Sequence, residues 1–265
     1  MSRATFFYDE QIAPLLRRLC NVEELTLFFS AIRFNSTFID GKQLHNDVLS
    51  YLNKLQIFSF SIHTELINKE IEMKLPSRTD LRNSFVQLGY KHIDAFGDVH
   101  FVKGRAAAHI YSLPYQFKEF YYLISAFQGG KFDHVRLLTM TDRRPFEHRL
   151  FQIIARDFPV LQKLFISNPE GQQDKARSCA LITFYNLSQL VFGEAHIDYP
   201  MEFLSNENIS LPRLTTLSIT YQALITVTNN FTNDQVRLIS NRITSLNICE
   251  PFVRSNNFHL FFPLL

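Results

Sequence analysis

The residues best suited to chemistry in this sequence are Gly129, Gly130 and Lys131, nine histidines and three cysteines. The Gly-Gly-Lys sequence matches only the last part of a phosphate-binding loop, in which backbone N–H groups and a lysine hold phosphate oxygens. The upstream glycine of such a loop and the Ser or Thr after its lysine are both missing here. The plainer interpretation is a helix that ends at these glycines, because glycine adopts the left-handed conformation at low cost.

The histidines and cysteines form no recognisable site. The histidines are dispersed and include neither a His-x-x-x-His nor a His-Glu-x-x-His pattern, and no Gly-x-Ser-x-Gly nucleophile motif occurs. Cys20, Cys179 and Cys249 include no Cys-x-x-Cys pair, which argues against a disulfide framework or a zinc site. We therefore expect no catalytic, cofactor-binding or metal-binding residue, and an enzyme on an α/β fold is the least favoured functional hypothesis.

Composition excludes two classes of partner. The formal net charge is +2, the isoelectric point is near 8.4, and the basic residues are scattered rather than clustered, so no nucleic-acid footprint is expected. The sequence contains no signal-peptide pattern and no apolar run as long as a membrane span. We expect an intracellular protein, cytoplasmic or nuclear, that binds neither nucleic acid nor membrane.

A nine-residue pattern organises the chain. It reads apolar, often Pro, any residue, Leu, two residues, Leu, one residue, apolar, and it occurs at 158–166, 184–192 and 211–219. Its first fixed apolar position falls at Val22, Leu55, Val135, Leu161, Leu187, Leu214 and Ile243. The last four intervals are 26, 26, 27 and 29 residues, a period typical of leucine-rich repeats.

The pattern predicts strands that can be buried only by stacking. Alternate side chains of a strand point to one face, so each strand would present a pair of apolar residues to the same side. These pairs are Leu164 and Ile166, Leu190 and Phe192, and Leu217 and Ile219. One strand cannot bury such a pair alone, but neighbouring repeats would bury all of them as a ladder. The alternative is a set of ordinary buried strands in a globular α/β domain.

The predicted fold class is α/β, a single leucine-rich-repeat-like solenoid over residues 1–265. Parallel strands would line its concave face and helices its convex face. Residues 1–131 form an irregular half with an inserted segment around 62–112, which contains a degenerate repeat and a hairpin; residues 132–265 form more regular repeats. Residues 262–265 repeat the opening of the pattern, so we expect the C-terminus to lie within a repeat of a longer protein. The alternative is a natural C-terminus whose last apolar residues fold back onto the core.

Apolar spacing and turn residues place the individual elements. Helices are predicted at 9–19, 44–52, 80–87, 116–127, 145–156 and 199–204, with Asp142 and Asp198 as candidate caps, and a loop at 167–177. Strands are predicted at 24–28, 55–60, 92–101, 107–113, 135–140, 161–166, 187–192, 214–219 and 243–248. Residues 222–229 fit either a helix or an extended segment.

The strand positions between the buried apolar ones are the candidate partner-binding residues. They are Glu24, Thr26, Phe28, Thr139, Thr141, Lys163, Phe165, Gln189, Val191, Thr216, Ser218, Ser245 and Asn247. Phe28, Phe165 and Val191 would be apolar on an exposed face, which often marks a contact site. The alternative is that neighbouring loops or the irregular repeat cover them.

Four segments resemble a known protein family. Residues 7–27, 110–117, 127–132 and 250–254 are similar to the solenoid portion of a divergent invertebrate group of F-box and leucine-rich-repeat proteins. The resemblance runs over nearly the whole chain. It implies a solenoid that recruits a substrate, behind an F-box that docks on an adaptor of a cullin-type ubiquitin ligase.

The chain departs from that family at its beginning. No Leu-Pro-x-Glu pattern typical of an F-box occurs before residue 20. Adaptor binding is therefore expected only if the full-length protein carries an F-box. The first hypothesis is a protein-binding solenoid, the partner- or substrate-recognition part of an F-box-type receptor. The second is a leucine-rich-repeat scaffold unrelated to ubiquitin transfer. In either case the partner is a protein of unknown identity and no cofactor is expected.

Overall fold

The computed structural model describes residues 4–68, 75–98, 102, 104–174, 181–205, 207–248, 250, 252 and 257–265. It is a mixed α/β structure with parallel sheets and helices. The chain divides into two compact units. The first comprises Met1–Tyr115 and Ala126–Gln128, and the second comprises Gln116–Ser125 and Gly129–Leu265. Cys179, Cys249 and parts of three predicted segments (92–101, 167–177 and 250–254) lie outside the described residues.

The first unit is built on a four-stranded mixed sheet. Its strands are β1 (Glu24–Phe34), β2 (Ile57–Ile67), β3 (Ile93–Gly97) and β4 (Arg105–Ser112), in the order β1-β2-β4-β3. Strands β1 and β2 are parallel, and β4 is antiparallel to both β2 and β3, which confirms the predicted hairpin. The helices are α1 (Ala13–Arg17) after a π-helical turn at Tyr8–Ile12, α2 (Gly41–Asp47) before a 3-10 turn at Leu49–Tyr51, and α3 (Arg78–Val86).

The second unit is built on a six-stranded parallel sheet. Its strands are β5 (Glu119–Leu123), β6 (Leu137–Thr141), β7 (Lys163–Asn168), β9 (Gln189–Ala195), β11 (Thr216–Ile219) and β12 (Ser245–Ile248), in spatial order β12-β11-β9-β7-β6-β5. Strands β8 (Ile182–Thr183) and β10 (Ile209–Ser210) form a separate pair. The helices are α4 (His148–Asp157), α5 (Asp198–Leu204), α6 (Tyr221–Thr228), α7 (Asp234–Ser240) and α8 (Phe258–Phe261).

A buried row of side chains runs across the second sheet, and burial alternates most clearly on β7. Along β7, Leu164, Ile166 and Asn168 are buried and the residues between them are half-buried. Leu164 lies in register with its counterparts on the neighbouring strands, which are Leu138, Leu190, Leu217 and Leu246. Burial of this row of leucines stabilises the folded unit, by roughly 1.5–3 kcal/mol for each fully buried side chain.

Main-chain hydrogen bonds of one kind join successive parallel strands. The carbonyl oxygen before each strand accepts two N–H groups, from the first residue of the next strand and from the residue before it. The acceptors are Glu23, Lys118, Arg136, Gln162, Ser188 and Thr215, with N···O distances of 2.7–3.1 Å. The geometry occurs once in the first unit and five times in the second. We call it the shared-carbonyl rung.

A tight turn precedes seven of the parallel strands and corrects several predicted strand starts; the strands are β1, β2, β6, β7, β9, β11 and β12. At all seven positions of the sequence pattern, the apolar residue donates its N–H to the carbonyl three residues earlier, as Leu161 does to Phe158 over 3.1 Å. The strands therefore begin two residues later than predicted, at 137, 163, 189, 216 and 245 rather than at 135, 161, 187, 214 and 243. The first fixed apolar residue of the pattern, such as Leu161, therefore closes the turn and does not belong to the strand.

The aromatic segment 116–127 is a strand and not the predicted helix. Phe120 and Leu123 are fully buried and pair with β6, with an irregularity between them where Tyr122 takes φ 60°. The spacing of aromatic residues suggested a helix, but sheet pairing satisfies the backbone here and overrides it. The following Gly129 (φ 106°) does not end a helix; a Cβ there would lie 2.6 Å from the carboxylate of Asp157.

Other predicted elements are largely present. The ambiguous segment 222–229 is helix α6, capped by Thr220 at its start and ended by Asn229 in the left-handed conformation. Helix α4 starts at His148 rather than at residue 145, and Asp142 does not cap it. Asp142 instead lies just after β6, where its carboxylate accepts the backbone N–H groups of Ser125, Arg143 and Arg144.

A close approach in the first unit depends on glycine. Gly41 begins α2, and its N–H donates to Ser84 Oγ over 2.8 Å. A Cβ at residue 41 would lie 2.5 Å from the carbonyl carbon and oxygen of Ser84 in α3, so alanine could fit only if the two helices moved apart.

We expect Gly41→Ala to lower the free energy of unfolding of the first unit by about 1–3 kcal/mol, the usual cost of overpacking. Urea denaturation followed by circular dichroism would measure it. The neighbouring Lys42→Ala, at an exposed position of the same helix, is the control and should change stability little. Equal stability of the Gly41 variant and the wild type would contradict this packing.

Candidate functional site

The structure divides the thirteen predicted partner-binding positions between the two units. Glu24, Thr26 and Phe28 lie on β1 of the first unit. The other ten lie on the second sheet, on β6, β7, β9, β11 and β12. The exposed positions are Glu24, Thr26, Thr141, Ser245 and Asn247; the half-buried ones are Phe28, Lys163, Phe165, Gln189, Val191 and Thr216; Thr139 and Ser218 are buried.

Strand register arranges the positions of the second sheet in two rows across it. The first row is Leu137, Lys163, Gln189, Thr216 and Ser245, and the second is Thr139, Phe165, Val191, Ser218 and Asn247. We call these ten residues the sheet surface. Leu137 was not among the predicted positions. Thr141 pairs with Ser167 in the line that follows the second row.

Phe165 occupies the middle of the sheet surface. Its ring lies over the backbone of β9, since a Cβ added to Gly193 would be 2.8 Å from Phe165 Cζ. Gly193, which sequence reasoning missed, therefore leaves room for the ring. The sequence left open whether Phe165 and Val191 are exposed or covered, and the structure places both between these cases, half-buried.

Hydrogen bonds explain why Thr139 and Ser218, both predicted to lie on the surface, are buried. Thr139 Oγ1 accepts the backbone N–H of Tyr122 over 2.8 Å, so this hydroxyl supports the irregular end of β5. At the other edge, Asn247 Nδ2 donates to Ser218 Oγ over 3.4 Å. Both contacts fix the orientation of side chains on the sheet surface.

Electrostatics on the sheet surface are weak. Lys163 is the one charged side chain among its ten residues. On β5, Tyr121 donates a hydrogen bond to the carboxylate of Glu119. Burial and this carboxylate raise the pKa of the Tyr121 phenol, so its hydroxyl stays protonated as a hydrogen-bond donor.

Similarity to known proteins does not assign this surface a function. No family model, curated protein or solved structure matches the chain. The resemblance to F-box and leucine-rich-repeat proteins stays a prediction.

A second polar cluster in this unit joins α4, α5 and the loop after β7. It borders a cleft of about 140 Å³. His148 Nδ1 lies 2.5 Å from Glu202 Oε1, and Gln172 Nε2 donates to Glu202 Oε2 over 2.6 Å. Tyr199 donates its hydroxyl to the carbonyl of Glu170 over 2.7 Å, and burial raises the pKa of its phenol.

The hydrogen bonds of this cluster join α4, α5 and the loop after β7. A carboxylate–histidine pair can activate a nucleophile, but in the part of the chain that the structure describes no hydroxyl or thiol is hydrogen-bonded to His148. Within the same residues, no group of three or more His, Cys, Asp and Glu side chains could hold a metal ion. Among the described helices, none is long and apolar enough to cross a membrane.

The remaining motif residues also have plain structural roles. Lys131 of the Gly-Gly-Lys sequence pairs with Asp133 over 3.2 Å, and both side chains are on the surface. Cys20 is an exposed thiol after α1. The sheet surface is therefore the better candidate for function.

Proposed function

We propose that the chain is a leucine-rich-repeat-like solenoid whose sheet surface binds a protein. In this proposal it is the partner- or substrate-recognition part of an F-box-type ubiquitin ligase receptor, without the F-box itself. Different observations support the repeat arrangement, the binding role and the link to ubiquitin transfer.

The repeat arrangement is supported by geometry that recurs with the sequence pattern. The same turn and the same shared-carbonyl rung precede successive parallel strands, at intervals of 26 to 29 residues between β6 and β12. Recurrence of a strand and its flanking turn at such intervals is typical of leucine-rich repeats. Helices follow β6, β9, β11 and β12 in the chain, as expected for a solenoid whose strands share one face.

The observation that carries the binding role is the composition of the sheet surface. An aromatic ring and a valine lie side by side at its centre, since Phe165 pairs with Val191. Hydroxyl and amide side chains surround them, and only Lys163 is charged. Depletion of charge around a central aromatic side chain is typical of protein interfaces, where a few such residues contribute most of the binding energy.

The link to ubiquitin transfer rests on the resemblance of residues 7–27, 110–117, 127–132 and 250–254 to F-box and leucine-rich-repeat proteins. The second candidate is a leucine-rich-repeat scaffold unrelated to ubiquitin transfer. The full-length gene product discriminates between them. Its affinity purification with mass spectrometry should recover a cullin adaptor under the first proposal, whereas recovery of partners without any adaptor would favour the scaffold.

We expect the double substitution Phe165→Ser and Val191→Ser to reduce capture of the partner about tenfold or more, because it removes the apolar centre of the surface. Quantitative affinity purification of tagged wild type and variant, in cells of the source organism, would measure the change. The control is Tyr185→Ser, which removes an aromatic ring that is 71 % exposed and lies outside both rows.

Stability must be measured on the same variants. Since Phe165 and Val191 are half-buried, their replacement should lower the melting temperature less than truncation of a ladder leucine does. A folded double variant that captures its partner as well as the wild type would refute a binding role for this surface.

A further inference from the structure

Two histidines lie side by side inside the first sheet. His63 on β2 and His109 on β4 are direct neighbours in the antiparallel register, and their ring centroids are 6.0 Å apart. Both are buried, with 5 % and 1 % of their surface exposed. We call them the histidine pair.

Each histidine is hydrogen-bonded to a serine on an adjacent strand. Ser30 Oγ lies 2.8 Å from His63 Nδ1, and Ser61 Oγ lies 2.8 Å from His109 Nε2. Ser61 Oγ also lies 3.1 Å from the hydroxyl of Tyr115. A serine hydroxyl can donate to a neutral imidazole, but a protonated nitrogen would donate in turn, so the hydrogen bonds must rearrange when the histidine gains a proton.

The ionisable groups on the same face of this sheet are exposed or have partners of their own. Strand β1 contributes Glu24, an exposed residue at its start, six residues before Ser30. On β2, Glu65 is ion-paired with Arg105 of β4 over 2.6 Å. On β3, Asp94 is held by Arg78 over 2.8 Å and lies 3.8 Å from Arg82, both of α3.

Three further groups lie on this face among the residues that the structure describes. Beyond β3, Asp98 accepts the N–H of Ala107 over 2.9 Å. Tyr111 and Tyr115 are phenols, and burial raises the pKa of Tyr111 well above its usual value. A proton on either histidine would therefore place a charge beside a second imidazole, in a buried site whose carboxylates already neutralise arginines or bind backbone N–H groups.

We propose that the histidine pair makes the first sheet acid-sensitive, so that β2 and β4 open more readily as the pH falls through and below the ordinary titration range of histidine. Protonation is compatible with the opened sheet, in which water can solvate both rings, and not with the closed one. Histidines that change an interface or a packed core in this way are a known kind of pH sensor.

The direction of the effect follows from proton linkage. Burial lowers the pKa of His63 to about 3, and burial together with the neighbouring His63 lowers the pKa of His109 well below 6.5. Between about 6.5 and 3 the opened state binds more protons than the closed state, so the free energy of opening falls as the pH falls. Each histidine raises the equilibrium constant for opening by up to about tenfold per pH unit in this window.

Hydrogen exchange of the backbone amides tests the proposal on the full chain. After correction for the intrinsic exchange rate, opening of β2 and β4 in the wild type should increase at least tenfold between pH 6.5 and pH 5. The double variant His63→Asn and His109→Gln places amides near Nδ1 and Nε2 without a titrating ring, and it should abolish this increase. The control His134→Gln changes an exposed histidine of the second unit and should leave the increase unchanged.

Two outcomes would overturn the proposal. One is an increase in opening that persists in the double variant. The other comes from the wild type alone, so it can be measured even if the double variant fails to fold. If an NMR titration of the folded wild type showed either buried imidazole gaining its proton near pH 6.5, the pair would have no energetic effect on opening.

Discussion

Leu164→Ala should lower the free energy of unfolding of the second unit by about 2–5 kcal/mol, the range for deletion of a fully buried leucine. The side chain is completely buried and lies in register between Leu138 and Leu190, which are also completely buried. The surrounding strands are fixed by their shared-carbonyl rungs and cannot close the cavity by sliding, so we expect a value in the upper half of this range. The chain has no tryptophan, so circular dichroism in urea is the natural measurement.

The control for this prediction makes the same substitution on the surface. Leu238 of α7 is 57 % exposed and belongs to the same unit. Leu238→Ala should change the free energy of unfolding by no more than about 0.5 kcal/mol. Similar losses from the two substitutions would mean that burial of the leucine row does not stabilise the sheet.

Asp142→Ala should cost about 3 kcal/mol or more in the second unit, because it leaves several backbone donors without an acceptor. The Asp142 carboxylate accepts hydrogen bonds from the N–H groups of Ser125 and Arg143 at 2.6 Å each and of Arg144 at 3.1 Å. Only 8 % of the surface of Asp142 is exposed. A carboxylate that accepts charge-assisted bonds from two chain segments fixes the end of β5 against the end of β6. Urea denaturation would again give the magnitude.

Asp142→Asn is the informative comparison for this position. Asparagine retains one acceptor oxygen and nearly the same shape, so we expect a loss between those of the wild type and the alanine variant. Equal losses for asparagine and alanine would show that both carboxylate oxygens are required. No loss in either variant would refute the assigned role.

The parallel strands could be predicted from the sequence because their signal is physical and repetitive. Leu164, Leu190 and Leu217 are spaced so that no single strand can bury them, and the structure places them in register. The turn residues at the strand starts were harder to assign. Leu161 and Leu187 are as apolar as the ladder residues, and only the hydrogen-bond pattern shows that they close a turn.

Interactions between distant residues were not predictable from the sequence. In 116–127 the spacing of Phe120, Leu123 and Phe127 fits a helix, and only pairing with β6 makes the segment a strand. Burial of Thr139 follows from its bond to Tyr122, a contact without a sequence signal. The histidine pair was missed for the same reason, since residues 63 and 109 meet only through the antiparallel pairing of β2 with β4.

The shared-carbonyl rung has a consequence for how this chain can vary in evolution. From β6 to β12 the strands start 26, 26, 27 and 29 residues apart, yet every strand enters the sheet through the same pair of N–H groups on the same kind of acceptor. Insertions and deletions between strands therefore leave the alignment of the sheet intact, because the rung resets it each time. A single residue gained or lost between a rung and the ladder leucine that follows would instead turn that strand's apolar side chains outward.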